Sequence, residues 1–151
     1  MPKKPAPTRR TAAKTPRHQP ESLRLAGVTP SLTVDNLARS LAWYRDVLGF
    51  YVKDQWEDDG ILSGVELAAG TVTFILNQDD FAKGKDRRKG EGFRLYCRTR
   101  QDIDLLAAAI KSRGGVLAQE PTDRPWGSRA FAVSDPDGIK ISITSITPDK
   151  P

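Results

Sequence analysis

One histidine (His18) and one cysteine (Cys97) stand among the 151 residues, and these two counts bound the chemistry. Zinc sites and acid–base relays draw on histidine, because imidazole titrates near neutrality and binds divalent metals. A lone cysteine cannot form an intrachain disulfide, which fits a reducing compartment. Glu66 and Glu120 fall in or at the end of strand-like runs, and spacing pairs neither with a second carboxylate for general acid–base work. There is no glycine-rich phosphate loop, no nucleophile elbow and no zinc spacing. What remains is aromatic and cationic. Arg94, Tyr96 and Arg98 alternate along one run, so a strand there carries all three on one face. Such a face binds an anion or stacks on a flat ring; its alternative use is pairing with Asp or Glu across a dimer.

His18 belongs to a segment of different composition. Residues 1–20 carry six Lys and Arg, no acidic residue and five Pro, while the remainder is net −1. The overall +5 is therefore a property of the tail. A segment this polar cannot offset its ordering entropy, which predicts a disordered tail over 1–22. It is either a solubilising extension or a weak, nonspecific contact for nucleic acid or an anionic surface. Five prolines oppose the helix of a targeting peptide. No apolar run reaches the roughly 18 residues of a membrane span. These features predict a cytoplasmic protein with no membrane partner.

The elements that position the aromatic and cationic residues read clearly over 23–148. Val28, Pro30, Leu32 and Val34 alternate as a strand. Asp35-Asn36 offers a helix cap, Leu37, Leu41, Tyr44 and Leu48 form an amphipathic stripe, and Gly49 ends it. Strands follow over 50–56, 61–68 and 71–77, with Asp59-Gly60 and Ala69-Gly70 as turns. A polar linker over 79–92, with Lys83, Lys85, Arg87, Arg88 and Lys89, reads as a solvated loop. The order then repeats: a strand over 93–99, an Asp102-capped helix with Ile103, Leu106, Ala107 and Ile110, and strands over 116–119, 128–133 and 139–144. Tyr44 and Ile110, like Gly49 and Gly115, are 66 residues apart. The predicted fold is α+β, two βαβββ modules over about 25–78 and 93–146.

The run VTPSLTVDNLARSLAWYRDVLGF (28–50) and the ending PWGSRAFAVSDPDGIKISI (125–143) resemble the vicinal oxygen chelate superfamily, which includes glyoxalases, extradiol dioxygenases and bleomycin-resistance proteins. The Pro-Trp-Gly turn and the Asp-Pro-Asp-Gly turn look most like the bleomycin-resistance branch. The resemblance implies modules that curl into a cupped half-barrel, and a homodimer with cavities bounded by both modules. It also implies a metal held by His, Gln or Glu at four strand positions. In register these fall on Thr29, near Phe74 (or Thr73 or Ile75), on Arg94 and on Ser142, none of them a His, Glu or Gln. The expectation is therefore no metal, no cofactor and no catalytic residues.

The predicted cavity residues are Thr29, Ser31, Trp56, Phe74, Arg94, Tyr96, Arg98, Trp126 and Ser142. Trp126 either walls the cavity, where a flat ligand can stack, or plugs the cup or a dimer seam. Trp56 either rims the cavity or packs a loop, and Phe74 is either wall or core. Trp43 sits off the helix stripe, at a seam or partly exposed, and Cys97 faces the helix as inert core. The expected function is metal-independent binding of a planar or aromatic small molecule, with antibiotic resistance through a bleomycin-like drug as the specific form. Arg94 and Arg98 oppose a cationic drug and favour an anionic or neutral ligand. The alternatives are a glyoxalase-like lyase or isomerase, and an interaction module whose tail attracts nucleic acid.

Overall fold

The computed structural model describes residues 2–6 and 22–146. The expected disordered tail lies mostly outside the described residues, and so does His18. The elements run β1 (Ser31–Val34), α1 (Leu37–Ala42) continuing into a π-helical turn (Trp43–Leu48), β2 (Tyr51–Asp58), β3 (Ile61–Ala69) and β4 (Val72–Gln78), then β5 (Leu95–Thr99), α2 (Ile103–Ser112), β6 (Leu117–Asp123), β7 (Arg129–Ser134) and β8 (Lys140–Ser145). They build two four-stranded sheets of the same topology, β1-β4-β3-β2 and β5-β8-β7-β6. In each, the first strand is parallel to the last and the rest are antiparallel. This is the repeated βαβββ order. No described helix is long and apolar enough to cross a membrane.

Local chemistry fixes the element ends. The Asn36 side chain accepts the Arg39 N–H and the Asp102 side chain accepts the Leu105 N–H, each satisfying an N-terminal donor that its helix leaves free. Asp59 (φ 50°) and Gly60 (φ 76°) form a two-residue hairpin between the paired Asp58 and Ile61. The sequence stripe does not reveal the wide turn of the first helix. There the Gly49 N–H bonds back to the Tyr44 carbonyl at 3.0 Å, five residues earlier, while the Tyr44 side chain is fully buried.

The helix-bearing faces of both sheets share one core, with Leu32, Tyr44, Phe74, Phe131 and Ile141 among its members. Burial of such apolar side chains is the main stabilising contribution. One buried polar bond crosses it: the Tyr44 hydroxyl donates to Asp135 Oδ2 at 2.8 Å. Burial and the Asp135 charge push the phenol far above its ordinary range, and burial raises the Asp135 carboxyl. The opposite sheet faces are left open.

The linker is only partly the solvated loop expected. Lys83, Lys85 and Arg88 are exposed, but Lys89 is nearly covered and bridges Asp79 (2.7 Å) and Asp35, and Arg87 also pairs with Asp79 at 2.9 Å. Asp137, from the second module, accepts the Asp35 N–H at 3.0 Å and the Ser40 hydroxyl at 3.2 Å. This clasp ties the linker and both modules together. The hydrogen bond from Lys89 and the Phe81 N–H hold the Asp79 carboxyl well below the usual carboxylate range. A lowered carboxylate stabilises the fold above its unfolded pKa, and that contribution is lost as pH falls. We expect urea midpoints to drop below about pH 4. Asp79→Asn should be less stable than the parent at pH 7 and should show a shallower acid decline. An equal acid decline in both proteins would show that the clasp contributes nothing.

Candidate functional site

The open face of the second module is built from strand alternation. Leu95 and Cys97 pack toward the core, so Arg94, Tyr96 and Arg98 face the other way, as the sequence predicts. Burial raises the Cys97 thiol, which fits its reading as an inert residue. Tyr96 stays 70% exposed. Its rung continues across the sheet through Ser142, Ala132 and Gln119, and the next holds Arg98, Thr144 and Ala130. The rung neighbours of Tyr96 are therefore small and, at Ser142, Ala132 and Ala130, buried, while Arg94, Tyr96 and Arg98 are exposed. Arg94 Nη1 donates to Ser142 Oγ at 2.9 Å, fixing one guanidinium beside the ring.

The open face of the first module is different. One rung pairs Ser31, Ile75, Glu66 and Asp54; the next pairs Thr33, Asn77, Gly64 and Trp56. The Trp56 indole lies flat on Gly64, where a Cβ would fall 2.2 Å from indole Cε2. Only glycine permits that contact. Asn77 Nδ2 donates to Ser31 Oγ at 2.9 Å, and the hydroxyls of Thr29 and Thr73 meet at 3.4 Å.

The nine predicted residues thus fall in four places. Thr29, Ser31 and Trp56 lie on the first face, and Arg94, Tyr96, Arg98 and Ser142 on the second. Trp126 sits 65% exposed in the β6–β7 turn, with the Arg124 guanidinium 6.0 Å from its ring centre. Phe74 is a correction. It is buried in the core between Phe50 (ring centres 5.1 Å apart) and Tyr44 (6.1 Å), so it lines no cavity. The inward neighbour on its strand is Thr73, against Thr29. Thr29 itself precedes β1, which begins at Ser31. Trp43 packs edge-on against Tyr44 at 4.8 Å, partly buried.

With Thr73, one of the two alternatives to Phe74, taken as the second position, the places where the resemblance puts metal ligands come together in two pairs, Thr29–Thr73 and Arg94–Ser142. Three neutral hydroxyls and a guanidinium do not fit a divalent cation, since the hydroxyls are weak ligands and Arg94 repels it. Among the described residues no group of three or more His, Cys, Asp or Glu could hold a metal ion.

Sequence reasoning missed Asp135. It reads as a turn residue in Asp-Pro-Asp-Gly, yet its Oδ1 accepts the N–H groups of Asp137 (2.9 Å) and Ile139 (2.8 Å) while Oδ2 takes the Tyr44 hydroxyl. The available signal is a tyrosine in the apolar stripe of a helix, because a buried phenol needs a partner. Its role is to join the modules.

Paired βαβββ modules, with helices on one side of each sheet and an open face on the other, define the class of fold. The chain belongs to the Glyoxalase/Bleomycin resistance protein/Dioxygenase superfamily, whose family model matches residues 24–143. Solved structures agree. It is similar to a superfamily member from Sphaerobacter thermophilus DSM 20745 (TM-score 0.66, 25% identity, 82% of this chain and 100% of that one). It is similar also to TioX from Micromonospora sp. ML1 (0.65, 19%, 80% and 98%) and to a virulence protein from Salmonella typhimurium (0.62, 21%, 83% and 100%). Among curated protein sequences, none matches the chain.

Proposed function

We propose that this superfamily member binds and sequesters a planar aromatic molecule, anionic or neutral, on the second module's open face and without a metal. The observation that carries the reading is the exposed Tyr96 ring between Arg94 and Arg98 over small side chains. The ring offers a stacking surface and the guanidiniums offer forked donors to a carboxylate. Among the described residues, none on this face pairs a general acid with a base, which favours binding over turnover. Two guanidiniums also argue against a cationic, bleomycin-like drug.

A second copy of the chain completes the cup in this reading. The first module's face carries Asp54 and Asp58 and the second's carries Arg94 and Arg98, so opposed faces of two protomers are complementary in charge. Calorimetric titration with 2-naphthoate tests the reading, with light scattering alongside. The expected results are one ligand per protomer and a dimeric mass. Failure of both 2-naphthoate and the neutral 2-naphthol to bind would sink the ligand reading, and a monomeric mass would sink the pairing.

A further inference from the structure

We infer that residues 8–15 of the basic tail, which lie outside the described residues, dock along the free edge of the first sheet as a strand antiparallel to β2. In the order β1-β4-β3-β2 this strand has one neighbour, and all of it but Val52 is exposed. Such an edge presents unpaired N–H and C=O groups to any extended segment that reaches it. Within residues 1–20 one proline-free run has strand length, TRRTAAKT between Pro7 and Pro16. Its threonines suit a strand, and the edge supplies hydrogen-bond partners that the tail's own composition cannot.

Charge fixes the register and the direction. Over 54–58 β2 is regular, since its own bulge falls at Lys53 and the shift at Trp56/Glu57 is taken up by Ser63 of β3. Asp54, Trp56 and Asp58 therefore share a face, and Arg10, Ala12 and Lys14 share one in the tail. Antiparallel alignment sets Arg10 beside Asp58, the small Ala12 beside the Trp56 indole and Lys14 beside Asp54, and it brings Arg9 to Asp59. Parallel alignment would set Arg9 beside Lys53, a like-charge pair. Asp58 and Asp59 have no ion pair among the described residues, and Asp54 engages only Oδ1, on the Gln55 N–H at 2.8 Å. The chain path agrees. Thr29 meets Thr73 at 3.4 Å, Thr73 pairs with Ala68, and Ala68 pairs with Tyr51. The chain thus leaves the sheet at the Tyr51 end of β2, the end at which an antiparallel tail strand finishes. Residues 16–28 reach up to about 40 Å, and β4 lies two strand spacings, about 10 Å, from β2. Docking takes up Asp54 and Asp58, the carboxylates that the pairing proposed above offers to a second copy's Arg94 and Arg98. The tail is then an internal competitor of that pairing; this consequence rests on that reading, and the docking does not.

Paramagnetic relaxation in the full chain tests this, with a nitroxide on Ala13→Cys in a Cys97→Ala background. Position 13 points away from the Trp56 side of the docked strand, so the label leaves that contact free. The amide signals of residues 54–57 should lose more intensity than any in the second module. Arg10→Glu with Lys14→Glu should restore them, and adding Asp54→Lys with Asp58→Lys should bring the loss back. Mixing spin-labelled chain with isotope-labelled chain that lacks the nitroxide should give no loss, because the strand docks on its own chain. The parent sequence supplies a check that needs no Cys97 change: its amide shifts at 54–58 should differ from those of the Arg10→Glu, Lys14→Glu variant. Intensity lost evenly over both modules, shifts at 54–58 indifferent to the tail charges, or a loss carried over in the mixture would overturn the inference.

Discussion

Replacing Arg94 and Arg98 together by alanine lowers affinity for 2-naphthoate by about a hundredfold, on the scale of one charge-assisted hydrogen bond of about 1.4 kcal/mol lost per guanidinium. Tyr96→Ala lowers it by about tenfold, through lost stacking. Stability should barely move, because Arg94, Tyr96 and Arg98 are exposed and the core lies on the other side of the sheet. The conservative change Arg94→Lys separates charge from shape. Lysine keeps the charge but loses the fork that donates to Ser142 and to a carboxylate at once. Its affinity should fall between parent and alanine variant. Unchanged binding in the double arginine variant would rule out the second face as the ligand's seat.

Phe74→Ala costs about 3–5 kcal/mol of stability, the range for emptying a buried aromatic site. The ring is 2% exposed and contacts Tyr44 and Phe50 edge-on or tilted. Removing it opens a cavity next to the Tyr44–Asp135 bond, and the surrounding rings can relax only in part. Urea unfolding at neutral pH measures the loss. The folded fraction should still bind 2-naphthoate with parent affinity. A cost under about 1 kcal/mol with binding abolished would return Phe74 to a cavity wall.

The contrast between Phe74 and Tyr96 shows what the sequence makes legible. On β5 the apolar and polar residues alternate strictly, so Leu95 and Cys97 separate cleanly from Arg94, Tyr96 and Arg98. On β4 Val72, Phe74, Ile75 and Leu76 put apolar side chains on both faces, and a one-residue slip in reading exchanges core for cup. The Asp59-Gly60 hairpin and the Asn36 and Asp102 caps are local chemistry and were readable. The Tyr44–Asp135 bond spans 91 residues and the Lys89–Asp35 contact 54, so neither leaves a local signature. Gly64 reads as a weak spot in a strand until the indole is seen resting on it. Spacing also cannot show that the two open faces of one chain hold separate sets of residues, which is why nine predicted cavity residues became two faces, one turn and one core ring.

In the function proposed above, side chains and not a metal hold the aromatic ligand. Its most direct test is the Kd of 2-naphthoate measured before and after exhaustive EDTA treatment, then with Ni²⁺, Zn²⁺ or Mn²⁺ added back. The same Kd is expected in every sample. Binding that disappears with EDTA and returns with one of these metals would contradict the claim.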